Sequence, residues 1–550
     1  MERAERISSS TELAELLPRW TAHVAADSSV RDPLGFSAVS HRLTDELIPG
    51  IITTTYWARY YAVYCWILWH IREHEMPRSE PDNARAFRRR EAAFALATVL
   101  DGTDIAPLGA NEVRRVLAES GATLPLDFQL LDSRYGGFGS TYGGSMKKLG
   151  LFRPGTRIHD EVTEGIATDL ARAVDDAVRD TPFITKKLWQ RDAVERADLV
   201  ASAPAMGLGA IRRNDGAAER SLIVDLMFAF DPRVESAGLR PQTLALQLWI
   251  VGAYEDAGLA CPVYRVQGGR ADECLLYAPL YAGLLVDITG AAPLPPVPAP
   301  LADCADLWVQ FCAHQFLTYA GEQLFAAVVA VLEPDRGVSL DEVVEHLSDR
   351  AFIEHLESVT QQSAATPAAL VASLGAGSTP ASNAHLGPVA EYACFAAACP
   401  SEQARAATAV LLLALLTRRI ERGLPRLPAG LRADGHLYAA DVPALIRSWN
   451  APAATWPAEL RSLIVRFLGQ HRLVMASRRG VSPWLTVDGD RLTRGTEKVE
   501  PDVRGSRLWP AAHILRDIQL IVEVTRAGAS CWRSTPDGRA TLRRALERWS

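Results

Sequence analysis

Apolar residues return at three- and four-residue intervals along most of this 550-residue chain, so helices are its predicted main elements. Val39, Leu43, Leu47 and Ile48 turn one face of Ser37–Ile48 inward, and His41, Arg42, Asp45 and Glu46 occupy the other. Pro49-Gly50 stops that helix. Tyr56–Ile71 is apolar nearly all round, the pattern of a central helix. Helical spacing recurs over Thr11–Ala25 (broken at Pro18), Glu91–Leu100, Asn111–Ser120, Pro241–Ala257, Leu275–Leu285, Cys304–Leu332, Gln403–Arg422 and Ala458–Leu468. Pro483–Lys498 reads as a hairpin turning at Val487-Asp488-Gly489. The proline-rich Ala291–Leu301 is a linker, and Ala364–Ser382, rich in small residues, is a mobile connection.

One order of elements occurs twice. A helix ending at Met146–Leu149 is followed by a strand at Leu151-Phe152, a polar tip, Val162-Thr163-Glu164-Gly165 and the helix Ile166–Val178. Near the end, a helix finishing at Ile514–Leu520 leads to the strand Ile521–Val524, a turn at Ser534–Gly538 and the helix Arg539–Trp549. Both read as winged-helix-like units, which bind DNA or serve as domain contacts. The expected fold is mainly α with small β hairpins, a multi-domain helical protein. It divides into an N-terminal helical domain (1–130), a winged-helix-like unit with a glycine and aromatic loop (131–200), a helical α/β middle region (201–290), a helical domain (302–470) and a C-terminal winged-helix-like unit (471–550).

Composition narrows the options. A hydrophobic share of 48% and a charged share of 22% are those of a folded protein. The net charge is −7, so a nucleic-acid surface must be a local basic patch. Eight scattered cysteines with no two-residue spacing suit reduced thiols in a cytosol rather than a zinc or disulfide framework. The amino terminus, MERAERISSSTELAELL, is too charged for a signal peptide, and neither Ile51–Trp69 nor Ala406–Leu416 suits a membrane span. No metal and no cofactor is expected.

Special chemistry is densest between Arg31 and Trp69. Tyr56, Trp57, Tyr60, Tyr61, Tyr64, Trp66 and Trp69 crowd around Arg59, and Arg31, Asp32, Pro33 and Gly35 form the entry. Downstream, YGGFGSTYGG sets Tyr135, Phe138 and Tyr142 among glycines, flanked by Arg134, Lys147 and Lys148. Such aromatics can stack on bases or fill a gap in a duplex, and the cations can hold phosphates. Double-stranded DNA is therefore the leading partner, with Arg31, Tyr56, Arg59, Tyr60, Arg134, Tyr135, Phe138, Tyr142, Lys147 and Lys148 as contacts. Asp32 and Asp45 are the carboxylates available for cleaving a glycosidic bond. Plainer roles stand beside these. Asp32 can cap the Ser37 helix, Arg59 can pair with Asp32 or Asp45 in a dry interior, and the glycine loop can pack on its own scaffold. The run Arg85, Arg88, Arg89, Arg90 is a solvated face or a phosphate edge. No Walker loop, G-x-S-x-G elbow, H-E-x-x-H or dinucleotide fingerprint is present, and the His159-Asp160 pair stands alone.

The landmarks RDPLG, LIPG, ARY, YGGFGSTYGG with LGLF, and ILRDIQLI resemble an uncharacterised bacterial anti-phage defence family. Trp57 stands where that pattern has a basic or small residue. The resemblance implies a DNA glycosylase that excises modified cytosine, such as glucosylated hydroxymethylcytosine, from phage DNA. The alternative is a non-enzymatic DNA-binding or sensor subunit of a defence complex.

Overall fold

The computed structural model describes residues 32–75, 79–153, 161–234, 238–263, 273–287, 289–374, 390–391, 394, 399–432, 436–477, 484–496, 499–501, 505–526 and 528–550. The helix expected over Thr11–Ala25, Arg31 and the His159-Asp160 pair lie outside them.

The described chain is mainly helical, with five small antiparallel sheets. It gathers into two compact units, each assembled from separated stretches. One comprises Met1–Thr44, Asp272–Leu294 and Ala305–Gly505; the other comprises Asp45–Ala271, Pro295–Cys304 and Ser506–Ser550.

In the first unit the long helix Ala302–Val331 is apolar nearly all round, and its stretch within the unit is largely buried. Helix Arg350–Thr360 packs on helix Glu402–Glu421, and helix Leu340–Leu347 on helix Trp456–Ser477. Ser339 starts Leu340–Leu347 with a complete capping box closed by Glu342. The hairpin Leu485–Asp488 with Arg491–Arg494 forms as predicted, turns through Gly489 at φ +63°, and gains Val338–Ser339 as a third strand. The helix expected over Leu275–Leu285 is instead a π-helix, Glu273–Tyr281, followed by the strand Leu284–Asp287. That strand pairs with Gly290–Pro293, whose last three residues belong to the predicted linker. The three apolar residues Leu284–Val286 suit a short strand as well as a helix, so spacing alone could not separate them. A helix, Pro367–Ser373, occupies part of the expected mobile connection.

In the second unit helix Arg59–His74 lies against helix Ile166–Val178 and buries residues on all sides. Glu80–Leu100 is one helix, started by Ser79 and packed on helix Arg196–Met206, so the arginine run and the alanine-rich segment are continuous. Helix Arg240–Asp256 carries helix Pro536–Trp549 and the strands Cys261–Pro262 and Ala529–Ser534. The order helix, strand, strand, helix is observed in both predicted places. It runs through Gly143–Lys148, Phe152–Arg153, Glu161–Val162 and Ile166–Val178, and again through Leu508–Asp517, Ile521–Arg526, Ala529–Ser534 and Pro536–Trp549.

Candidate functional site

Arg59 opens its helix inside the second unit. Its Nε donates to both carboxylate oxygens of Glu219, at 3.1 and 3.2 Å, and its Nη1 donates to the Gly207 carbonyl. The two side chains are 1% and 2% exposed. Burial raises the Glu219 pKa despite the adjacent guanidinium. The expected partners, Asp32 or Asp45, are thus corrected to Glu219, a residue 160 positions away that no local pattern marks.

The two aromatic stretches do meet, as a packed interior rather than a cleft. Tyr142 lies 5.1 Å from both Tyr60 and Tyr61, Phe138 lies 5.6 Å from Tyr64, and Tyr60 stacks on Tyr64 at 5.2 Å. Arg59, Tyr60, Phe138 and Tyr142 are buried. Side chains in mutual contact at interior packing density leave no space among them for an extruded base, so the expectation that Tyr60, Phe138 and Tyr142 stack on bases is corrected. Their polar ends are used internally. The Tyr60 hydroxyl accepts from Leu108 N–H at 2.9 Å, Tyr61 donates to the Gly50 carbonyl at 2.9 Å, and Tyr64 donates to Glu91 at 2.7 Å.

Glu91 explains the first two glycines. The segment predicted as a loop is helical: a π-turn over Phe138–Tyr142 runs directly into Gly143–Lys148. At its start Gly137 N–H donates to Glu91 Oε1 at 2.9 Å. Gly136 has φ +52°, and a Cβ there would overlap the Glu91 carboxylate. Burial pushes the Glu91 pKa up to about 7, against the hydrogen bonds from Tyr64 and Gly137. The close backbone approach at Gly136 and Gly137 therefore serves a buried carboxylate.

Asp32, in the first unit, is buried and accepts from Phe36 N–H at 3.0 Å, Ser37 N–H at 3.1 Å and the Ser37 hydroxyl. It caps the helix Ser37–Leu47, the plainer of its two readings. The carbonyls of Pro33, Leu34 and Phe36 are contacted by His471, Gln470 and His314, which hold the turn. Asp45, in the second unit, is exposed and pairs with Lys148 at 2.7 Å and Arg507 at 2.9 Å. Partial burial works to raise its pKa, and these two cations outweigh that and lower it. Lys147 is exposed, and Arg134 pairs with Glu80 at 2.5 Å. Tyr135 is half-buried against Phe87, and its hydroxyl accepts from Asn83 at 3.2 Å. Tyr56 meets the edge of His513 at 5.6 Å.

The remaining landmarks are also internal fasteners. Buried Arg240 donates to the carbonyls of Pro49, Leu226 and Met227, joining the LIPG turn to the end of helix Ala217–Met227. Asp517 of ILRDIQLI accepts from Ala58 N–H at 3.0 Å and from Arg212 at 2.6 Å. Burial raises its pKa, opposed by Arg212.

Sequence reasoning missed the surface that these fasteners support. Trp57 carries two guanidiniums, Arg516 at 5.6 Å and Arg212 at 5.9 Å from its ring centre, and its indole N–H donates to the Ala106 carbonyl at 2.9 Å. His513 also touches Trp57; burial, then Arg516 and Arg212, lower its pKa to about 3, which keeps it neutral. Beside Arg212 and Arg516 opens a cavity of about 650 Å³ bounded by Asp104, Gln519 and the strand Ile521–Arg526. Arg212 was legible only as a charge; its partner Asp517 lies 305 positions away.

A second missed feature was present in composition. Residues 506–550 hold eight arginines against four carboxylates in a chain of net charge −7. Arg533, Arg539, Arg543, Arg544 and Arg548 are all exposed, four of them on helix Pro536–Trp549. Arg539 pairs with Glu255 at 3.0 Å and Arg544 with Asp225 at 3.2 Å; Arg533 and Arg543 have no ion pair among the described residues.

No protein-family model, no curated protein and no solved structure matches the chain.

Proposed function

We propose that this protein binds DNA without cutting it, through winged-helix-like units, as the sensor part of an anti-phage system. The observation that carries this reading is the excess of arginine over carboxylate in residues 506–550, against the sign of the whole chain. Exposed guanidiniums on a helix that follows a β-hairpin suit phosphate contacts, and their surface ion pairs yield readily to a polyanion. Lys147 and Lys148, beside the other hairpin, offer a second set. The binding reading is preferred to base excision because Asp32 spends its carboxylate on a helix end and Arg59 spends its charge on Glu219.

The test is affinity for plain and modified phage duplex DNA as a function of salt. Binding falls steeply with salt, and Arg533→Ala with Arg543→Ala flattens the slope by about 2 in log–log form, roughly 1 for each phosphate no longer neutralised. A salt-independent affinity, or none, overturns the proposal. Free base or alkali-labile sites appearing only in modified DNA would establish the glycosylase instead.

A further inference from the structure

A winged-helix unit that reads base sequence does so with the helix before its hairpin, which stands clear of the protein and enters the major groove. At the C-terminal end of this chain that helix is spent internally. Seven of the ten residues of Leu508–Asp517 are buried. The other three, Trp509, His513 and Arg516, are half-buried against aromatic rings. Trp509 lies 4.6 Å from His513, His513 meets Tyr56 at 5.6 Å, and Arg516 lies 5.6 Å from the Trp57 ring centre. Gln247 donates to the Leu508 carbonyl at 2.9 Å, and Ala58 N–H and Arg212 hold Asp517 at the other end. The hairpin end is fastened as well: the Arg526 guanidinium donates to the carbonyls of Gly258 and Leu259, at 2.9 and 3.2 Å.

Helix Pro536–Trp549 carries the charge that stays outside. Its exposed arginines form two rows at four-residue spacing, Arg539 with Arg543 and Arg544 with Arg548. Each step is about 6 Å along the helix axis. The helix is tied to two neighbours. Arg539 pairs with Glu255 on helix Arg240–Asp256, and Arg544 pairs with Asp225 on helix Ala217–Met227. Arg544 also lies over the Phe230 ring at 3.9 Å, and Arg548 donates to the Phe230 carbonyl at 2.7 Å. A helix held down in this way cannot sink into a groove about 8.5 Å deep, whereas its guanidiniums can meet phosphates at the groove rim. Its sequence, PDGRATLRRALERW, has no Asn or Gln, the side chains that pair with adenine.

We propose, resting on the DNA-binding reading above, that this unit grips duplex DNA by its phosphates alone and so takes any duplex, whatever its base sequence or base modification. Phosphate contacts carry no sequence information directly. A substituent on cytosine is displayed in the major groove, where this unit places neither a helix nor a hairpin tip.

The test measures Kd of the full-length protein for A·T-rich, G·C-rich and mixed duplexes of about 20 base pairs, and for the mixed duplex carrying 5-hydroxymethylcytosine, over a range of salt. All four affinities agree within about threefold and fall with the same salt slope, whereas a protein that reads bases favours its site by about a thousandfold or more. Arg543→Ala weakens every duplex by the same factor, and Arg526→Ala leaves each within about twofold, since its guanidinium is already engaged. A preference of about tenfold or more for one sequence, or for the modified duplex, overturns the proposal and leaves DNA binding standing. A loss in Arg526→Ala as large as in Arg543→Ala also overturns it, by putting the hairpin tip on the DNA. Failure to bind any duplex at low salt overturns the DNA-binding reading itself, and this inference with it.

Discussion

Arg59 and Glu219 form an ion pair at 3.1 Å with almost no exposure to water on either side. A pair in that position is costly to break and cheap to replace, because desolvation has already consumed most of its Coulomb energy. Arg59→Met should destabilise the protein by about 3–5 kcal/mol, and adding Glu219→Met should recover most of the loss. Urea unfolding of the two variants measures this. A single variant as stable as the parent would remove Arg59 from the core.

Gly136 accepts a positive φ against the Glu91 carboxylate. Gly136→Ala adds a strained backbone to a steric overlap and should cost about 2–4 kcal/mol. Gly144, where a Cβ meets nothing within 4 Å, is the control: Gly144→Ala should be neutral or slightly stabilising. Thermal unfolding separates the two, and equal shifts would contradict the packing described for the glycine segment.

Glu91 predicts a pH dependence. Its folded pKa is raised from 4.5 to about 7, so the native state favours the neutral acid. The associated stability is complete below pH 4.5 and is lost as pH rises through 7, amounting to roughly 3 kcal/mol. Glu91→Gln, permanently neutral, should match the parent at low pH and exceed it at pH 8. Parallel stability–pH curves for parent and variant would refute this.

Asp32 is a helix cap in the described geometry. Asp32→Ala should lower stability by about 1–3 kcal/mol, since two backbone N–H groups and a hydroxyl lose their acceptor. Affinity for DNA should stay within twofold, measured by titration at fixed salt. Loss of binding at unchanged stability would return Asp32 to the functional site.

Much of the architecture could be read in one dimension. Helix Arg59–His74, the hairpin at Gly489 and both helix–hairpin–helix orders follow from spacing and turn residues, which are properties of neighbours in the chain. The glycine stretch left two roles open in the sequence because Glu91, to which Gly137 donates, lies 46 residues away. Glycine marks close approach but does not say to what.

The sequence by itself determined the helical class, the places where Pro49-Gly50 and Gly489 break the chain, and the arginine excess of its last 45 residues. Tertiary structure alone decided that the landmark residues face inward. RDPLG, LIPG, ARY and ILRDIQLI each contribute a buried polar group, and a buried polar group must find a partner wherever the fold can supply one. Asp32 finds its partners four and five residues on, but those of LIPG, ARY and ILRDIQLI come from segments far along the chain, so which charges are spent inside is settled only when the chain folds.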